Sequence, residues 1–275
     1  MFRLNTVQKI IIFSILILWA IANIFPLGVM VISGFKSTRE IFLAPFSLPS
    51  KWSFDSYKEA WTVANFSVYF KNSIIVTLVS ITFTLFISSM AAYVLARFEF
   101  PGRRAIYLFI LAGLVLPVRL AILPIFLLIR NMGLNNTLFS LFIVYTAGGI
   151  SFSTFLLTNF FKTIPMDIED AARIDGASYF RVYWKIHLPL LRPALATVTV
   201  FNFIRVWNDF FFPLIFINDN AKKTIPLGIQ NFFGEYAIKW DLLFAGLNIA
   251  VIPIIIFFII LSKQFIGGLT EGAIK

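Results

Sequence analysis

The sequence contains no cysteine and a single histidine, His187. Without cysteine the chain can form neither a disulfide framework nor a thiolate metal site, and one histidine excludes a histidine-cluster metal site within the chain. The phosphate-binding pattern G-x-x-x-x-G-K-[ST] is also missing. We therefore expect no metal, no nucleotide and no other cofactor to be bound by this chain itself.

Charged residues are scarce as well, at 13% of the sequence, whereas hydrophobic residues make up 59%. A soluble domain of 275 residues would need more polar surface than this. Several apolar runs exceed roughly 18 residues, the length that spans a bilayer. The formal charge is +10, but basic residues at the ends of apolar runs are typical of membrane anchoring, so we expect no nucleic-acid partner. The composition predicts an all-α integral membrane protein in contact with lipid.

The hydropathy pattern predicts one transmembrane domain over residues 1–275 with six transmembrane helices. The predicted spans are residues 10–35, 73–96, 105–129, 138–161, 193–217 and 242–260. Prolines interrupt the third span at Pro117 and Pro124 and the sixth at Pro253, and such breaks tend to face protein or a water-filled cavity. The first apolar run continues well past Ala22, so we expect a retained span rather than a cleaved signal peptide.

The orientation rests mainly on three arginines in the short turn between the second and third spans: Arg97, Arg103 and Arg104. Short loops rich in arginine and lysine stay in the cytoplasm. Six spans then place both termini, including the tail 262–275, in the cytoplasm of a cell-membrane protein. The loops 36–71 and 218–241 lie outside, and the first of them is predicted to carry an interfacial helix near residues 56–64.

A polar loop, residues 162–192, separates the fourth and fifth spans. Its pattern predicts two short helices: Asp167 caps the first, which ends at Asp175-Gly176, and Ser178 caps a second that runs to His187 and ends before Pro189. His187 is expected there as a cation at the end of the helix. A projecting helix-turn-helix suits docking into a groove of a soluble partner. The spacing alone equally allows a solvated cytoplasmic loop.

Three strings in and after this loop resemble the EAA signature of ABC importer permeases: Asp170-Ala171-Ala172, Asp175-Gly176-Ala177 and Leu188-Pro189-Leu190. The wider string AARIDGAS…LPLLRPALATVTVFNFIRVWNDFFFPLIF resembles the smaller permease of the carbohydrate-uptake, maltose-type group. The similarity covers nearly the whole chain from the second span onward. One position departs from the pattern, because Asp170 stands where the signature usually has its first glutamate, and Glu169 lies just before it. Either carboxylate can fill the role of the signature glutamate.

The resemblance implies a non-enzymatic permease subunit of an ATP-driven importer for a sugar or oligosaccharide. It implies four further subunits or partners: a second homologous permease, two ATP-binding subunits that hold the ATP, and an extracytoplasmic solute-binding protein. The 162–192 loop would transmit the closure of the ATP-binding subunits during alternating access. The residues implied in that contact are Glu169, Asp170, Ala171, Ala172, Asp175, Gly176 and Ala177.

Three charged residues lie within predicted spans, at Arg119, Arg205 and Asp209. A charge at the centre of a membrane helix costs about 2.5–3.5 kcal/mol, so each should face a cavity or a partner. Arg205 and Asp209 are four residues apart and can pair on one helix face. The alternative is a solute path lined by Arg119, Asn202, Arg205, Asn208 and Asp209. Arg205 stands where the resembled family commonly has a small residue, which indicates contact with sugar hydroxyls or an anionic solute such as a uronate or glycerol phosphate.

Two other classes of protein remain as alternatives. A secondary transporter driven by an ion gradient would also have helices interrupted by proline, but it would transport alone and would show an internal repeat, and no convincing repeat is found. A membrane-embedded enzyme would need a cluster of acid, base or nucleophilic groups, and the predicted spans contain almost no titratable residues.

Overall fold

The computed structural model describes residues 5–116, 118–234 and 238–273, with side chains as far as Lys263. Regular structure in this part of the chain is helical, apart from one isolated antiparallel bridge between Phe233 and Ile238. Pro117, the end of the predicted tail at 274–275 and the side chains of residues 264–273 lie outside this description. The chain divides into two units, residues 1–67 with 228–252 and residues 68–227 with 253–275.

The first unit begins with helix α1, Thr6–Ser33, which covers the first predicted span, 10–35, except for its last two residues. Asn5 and Gln8 form a capping box at its start, which satisfies two backbone donors. Helix α3, Asp55–Thr62, confirms the short helix predicted near 56–64. A further short helix, α2, Thr38–Leu43, was not predicted from the sequence, although Ser37 caps it by accepting from the N–H of Glu40.

The second unit contains most of helix α4, Phe66–Arg97, followed by α5, Arg103–Val115, α6, Ile122–Asn131, and α7, Leu138–Thr163. Helices α4 and α7 contain the second and fourth predicted spans. The third predicted span is broken as expected, because α5 and the segment 118–131 are bent by 88°. Pro124 does not cause the break: it lies in the first turn of α6, where a missing N–H costs little.

The fifth predicted span, 193–217, is two helices rather than one. Helix α11 covers Arg192–Trp207 and α12 covers Phe211–Phe216, with a break of three residues between them. Helix α13, Ile225–Ile229, follows, and helix α14 runs from Trp240 to Ala273. The predicted break of the sixth span at Pro253 is wrong, because α14 passes through this proline. A proline inside an apolar helix frees one backbone carbonyl and does not have to end the helix.

Within the described residues, four helices are long and apolar enough to cross a membrane: α1, α4, α7 and residues 240–263 of α14. The bent pair of α5 and 118–131 adds a fifth if it crosses as one broken span. Helix α11 has 16 residues and is too short for this criterion by itself. The six-span count stays a prediction, which requires α11 and α12 to cross together.

Small residues allow close helix packing in the second unit. A Cβ atom on Gly149 would lie 2.7 Å from both Asn202 Oδ1 and Thr84 Cγ2, so α7 approaches α11 and α4 at this point. The Asn202 side chain also donates to Ser153 Oγ over 3.0 Å. Gly113 of α5 faces Ser151 of α7 in the same way. Gly149, Ser151 and Ser153 of α7 therefore lie at its contacts with neighbouring helices.

We expect Gly149→Ala to lower the melting temperature of the purified chain. The added methyl group overpacks the contact with Asn202 and Thr84, which costs about 1–3 kcal/mol. Gly28 of α1 is the matched control, because a Cβ there meets nothing within 4 Å. Gly28→Ala should melt at or above the temperature of the unaltered chain, since alanine favours helix. Equal melting temperatures of the two variants in detergent would contradict the close packing of α7 against α11 and α4.

Candidate coupling loop and solute path

The 162–192 loop contains two helical segments, as predicted. Helix α8 covers Met166–Ile174, and after a turn the chain continues through α9, Tyr179–Val182, a π-helical turn, Tyr183–His187, and α10, Leu188–Leu190. Pro165 occupies the N-cap position of α8, so the prediction that Asp167 caps this helix is wrong. Asp167 lies instead in the first turn, where a negative charge favours the helix dipole.

The turn between the two segments is built on Gly176, whose φ is +81°. The N–H of Gly176 donates to Arg173 O over 3.0 Å and the N–H of Ala177 donates to Ala172 O over 2.9 Å. This pair of hydrogen bonds is a Schellman motif, which needs a left-handed residue that glycine adopts without strain. Ser178 then caps α9 by accepting from the N–H of Arg181. The predicted stop and the predicted second cap are both confirmed.

The second helical segment does not stop before Pro189. It passes through the π-helical turn into α10 and ends at Leu190. Pro189 is the second residue of α10, directly after the π-helical turn, in which the N–H of Leu188 donates to Tyr183 O. The chain therefore enters α11 almost directly from the loop.

Helix α8 turns the two candidate carboxylates to different sides. Glu169 is only 4% exposed, whereas Asp170 is exposed. The other signature positions stay near the surface: Ala171, Asp175 and Gly176 are exposed, and Ala172 and Ala177 are half-buried. The signature residues after Glu169 thus form one accessible surface, which we call the signature surface (Asp170, Ala171, Ala172, Asp175, Gly176 and Ala177).

Three side chains surround the Glu169 carboxylate. Tyr93 Oη donates to Oε1 over 3.1 Å, and His187 Nε2 lies 3.1 Å from Oε2. Arg97 Nε lies 3.5 Å from the same Oε2. Tyr93 and Arg97 belong to the end of α4, more than 70 residues earlier in the chain. No local spacing relates these residues, so the sequence pattern does not predict the cluster.

The prediction that His187 is a cation at the end of the second short helix is wrong. Its ring is fully buried, and burial lowers its pKa below the usual value for histidine. Nδ1 has no hydrogen-bond partner among the described residues. A neutral ring with Nε2–H donating to Glu169 fits this site, because a protonated ring would bury a second N–H group without an acceptor.

The predicted solute-path residues line two cavities of the second unit. The larger, of about 590 Å³, is lined by residues of the broken third span, α7, α11 and the start of α12, including Arg119, Arg205, Asn208 and Asp209. The smaller, of about 230 Å³, is lined by Asn202 and Arg205 together with glycines of α7. Four of the five predicted residues thus share one cavity, and Arg205 borders both.

Asp209 lies in the break between α11 and α12, and its side chain is 8% exposed. It accepts from Tyr145 Oη over 2.8 Å and from the N–H of Phe212 over 3.0 Å. Its Oδ1 also lies 3.8 Å from Arg119 Nη2. Helix α11 ends at Trp207, before Asp209. Arg205 and Asp209 therefore do not lie on one face of a continuous helix, as the sequence predicted.

Arg205 directs its guanidinium to neutral acceptors. Nη2 donates to Tyr145 O over 2.7 Å and to Asn202 Oδ1 over 3.2 Å. Among the described residues, the ion pair in this cavity joins Arg119 to Asp209, and Arg205 has no carboxylate oxygen within 4.0 Å. The lining of the larger cavity therefore has a net charge of one positive unit, from Arg119, Arg205 and Asp209.

Comparisons with known proteins agree with the helical fold and with the signature. The chain is 40% identical over 264 residues to the diacetylchitobiose uptake system permease protein NgcG of Streptomyces coelicolor, covering 95% of this chain and 87% of that one. It is 34% identical to the probable starch degradation products transport system permease protein AmyC of Thermoanaerobacterium thermosulfurigenes, over 98% of both chains.

A solved structure has the same fold. It is a bacterial ABC transporter involved in the import of the acidic polysaccharide alginate, and the TM-score is 0.85 over 96% of this chain and 99% of that one, at 23% identity. The sequence family described as "Binding-protein-dependent transport system inner membrane component" matches residues 84–269, which include the 162–192 loop and both cavities. The chain belongs to this family of ABC importer membrane components, as the signature strings indicated.

Proposed function

We propose that this chain is the permease subunit of an ATP-driven importer for a sugar or oligosaccharide, and that its 162–192 loop couples the transport step to ATP hydrolysis on another subunit. The observation that carries the proposal is the signature surface, which is accessible and is held by a Schellman turn at a fixed place on the chain. The carbohydrate class is supported by the names of the relatives, which include diacetylchitobiose uptake and the transport of starch degradation products.

The assembly we propose contains a second homologous permease, two ATP-binding subunits and an extracytoplasmic solute-binding protein. This chain contributes no enzymatic step and binds no ATP. Its termini and the 162–192 loop lie in the cytoplasm. The arginine-rich turn after α4 and the 162–192 loop are both predicted to be cytoplasmic, and they lie close together. Arg97 Nη2 donates to Ile164 O over 2.8 Å and so joins the end of α4 to the start of the loop, which supports this topology.

Coupling then needs a contact that closes and opens with the ATP-binding subunits. The small side chains of Ala171 and Ala172 allow close approach to a groove, and the carboxylates of Asp170 and Asp175 can pair with cations there. Closure of the ATP-binding dimer would push α8, and the helices that α8 contacts would switch the cavity of Arg205 between the two sides of the membrane.

The test is uptake by proteoliposomes that contain all the subunits, with ATP enclosed and ion gradients collapsed by ionophores. We expect labelled oligosaccharide to accumulate only with ATP and with the ATP-binding subunits present. Uptake by the purified chain alone, driven by an ion gradient and indifferent to ATP, would overturn the proposal in favour of a secondary transporter.

The unpaired charge of Arg205 favours a second candidate, an importer of the same class for an anionic solute such as a uronate oligosaccharide or glycerol phosphate. A guanidinium that donates only to neutral acceptors still has donors available in the cavity. Hydrogen bonds to charged groups contribute about 1.5–3 kcal/mol, more than those to hydroxyl groups.

Arg205→Gln distinguishes the two candidates in competition assays with a neutral oligosaccharide and its uronate counterpart. If the solute is anionic, the variant should lose about ten- to a hundredfold in the apparent affinity for the uronate and little for the neutral sugar, and Arg205→Lys should retain part of it. Equal losses for both solutes would leave the neutral oligosaccharide as the substrate.

A further inference from the structure

Glu169 belongs to the 162–192 loop but not to the signature surface. Its carboxylate is buried and turned toward α4, where it meets Tyr93 and Arg97. Asp170, the neighbouring residue, is exposed on α8. Of these two adjacent carboxylates, only Asp170 is accessible to a partner.

The partners of Glu169 come from separate elements of the second unit. Tyr93 and Arg97 lie at the end of α4, and His187 lies in the π-helical turn. The Arg97 side chain is itself 4% exposed, and its Nη2 donates to the carbonyl of Ile164, the residue that follows α7. One buried carboxylate thus connects α8 with the ends of α4 and α7 and with the chain that leads into α11.

The π-helical turn places the histidine in this cluster. A π turn widens the helix locally, and such turns are frequently found at functional sites. The His187 ring packs against Tyr93 and Phe161, with ring centroids 5.2 and 5.5 Å away. The ring therefore has a fixed position from which Nε2 reaches Glu169.

The buried carboxylate of Glu169 connects α8 rigidly to α4. Removing one partner of a buried charged cluster leaves the others desolvated and unpaired, so the members separate only at a high cost. A push on α8 is then carried to α4, because the cluster resists sliding of one helix past the other.

We propose that Glu169 is a positioning residue, which locks α8 to the end of α4 through Tyr93, Arg97 and His187 and so carries the motion of the ATP-binding subunit into the membrane helices. This inference rests on the proposed coupling function of the loop. It assigns the contact with the ATP-binding subunit to Asp170 and the transmission of movement to Glu169.

The experiment uses the assembled transporter in proteoliposomes and measures ATP hydrolysis and solute uptake in the same sample. For Glu169→Gln we expect the ATP-binding subunits to remain bound and ATP to be hydrolysed, while the solute imported per ATP falls by about tenfold, the effect of a charge contact worth roughly 1.4 kcal/mol. For Asp170→Asn we expect weaker binding of the ATP-binding subunits. Loss of those subunits in Glu169→Gln, or unchanged uptake per ATP, would overturn the proposal.

A distance measurement tests the lock independently of ATP hydrolysis and uptake. The chain has no cysteine, so spin labels can be placed at Val94→Cys on α4 and Ile168→Cys on α8, two exposed positions. With Glu169 present, we expect the distance between the labels to stay constant on addition of ATP. With Glu169→Gln, the distance should change or broaden. A distance that already varies with Glu169 present would also overturn the lock. Failure of the unaltered transporter to import solute with ATP would instead refute the proposed function.

Discussion

Replacing Gly176 with proline should abolish ATP-driven uptake while the chain still accumulates in the membrane. The backbone at this position has φ of +81°, whereas proline fixes φ near about −65°. Proline also removes the N–H that donates to Arg173 O. The variant therefore loses the Schellman turn, and α8 no longer holds the signature surface in place. Gly176→Asn should be milder, because asparagine tolerates the left-handed region.

Co-purification from membranes is the measurement for Gly176→Pro. The unaltered chain should bring down an ATPase, and the variant should lose either that ATPase or its coupling to uptake. Gly133 provides a matched control: its φ is +70°, and its N–H donates to Arg130 O at the end of α6. Gly133→Pro applies a similar backbone strain outside the 162–192 loop and should retain the ATPase. Normal uptake by Gly176→Pro would refute the role of the turn.

The second large effect is expected at Asp209, as a loss of stability. Asp209→Ala leaves the hydroxyl of Tyr145 and the N–H of Phe212 without their acceptor and removes the carboxylate that faces Arg119. Each orphaned buried donor costs about 1–3 kcal/mol. The N–H of Phe212 lies in the first turn of α12, so this helix should loosen. Asp209→Asn keeps an acceptor oxygen and should lose less.

Thermal unfolding in detergent checks this effect. Asn208 is the adjacent control, because its side chain is exposed and, among the described residues, donates only to Ile204 O, one turn earlier in α11. Asn208→Ala should melt close to the unaltered chain, and Asp209→Ala several degrees lower. Similar melting temperatures for Asn208→Ala and Asp209→Ala would show that the contacts of Asp209 do not stabilise the segment between α11 and α12.

Local features of the loop could be predicted from the sequence because their causes are local. The stop at Gly176 and the cap at Ser178 depend on residues within one or two helical turns. The signature strings are long and spaced, so they identified the family before any geometry was known. The run of apolar residues likewise revealed α1, α4 and α7, since hydropathy over about 20 residues is the main signal of a membrane helix.

Other features depend on contacts between distant segments and left no such pattern. Glu169 and Asp170 are chemically similar neighbours, and the contacts with Tyr93 and Arg97 distinguish the buried Glu169 from the exposed Asp170. The buried position of His187 depends on a π-helical turn, which the sequence does not reveal. The break after Trp207 lies within an apolar run, and hydropathy is insensitive to a break that Asp209 stabilises through Tyr145.

The most direct test of the coupling account is the accessibility of position 170. Because the chain has no cysteine, Asp170→Cys adds a single thiol on the signature surface, and Met132→Cys adds an exposed control after α6. We predict that a membrane-impermeant maleimide labels position 170 only from the cytoplasmic side, and that bound ATP-binding subunits protect it. Position 132 should be labelled from the outside, with or without those subunits. Equal labelling of position 170 with and without the ATP-binding subunits, or labelling from outside, would contradict the account.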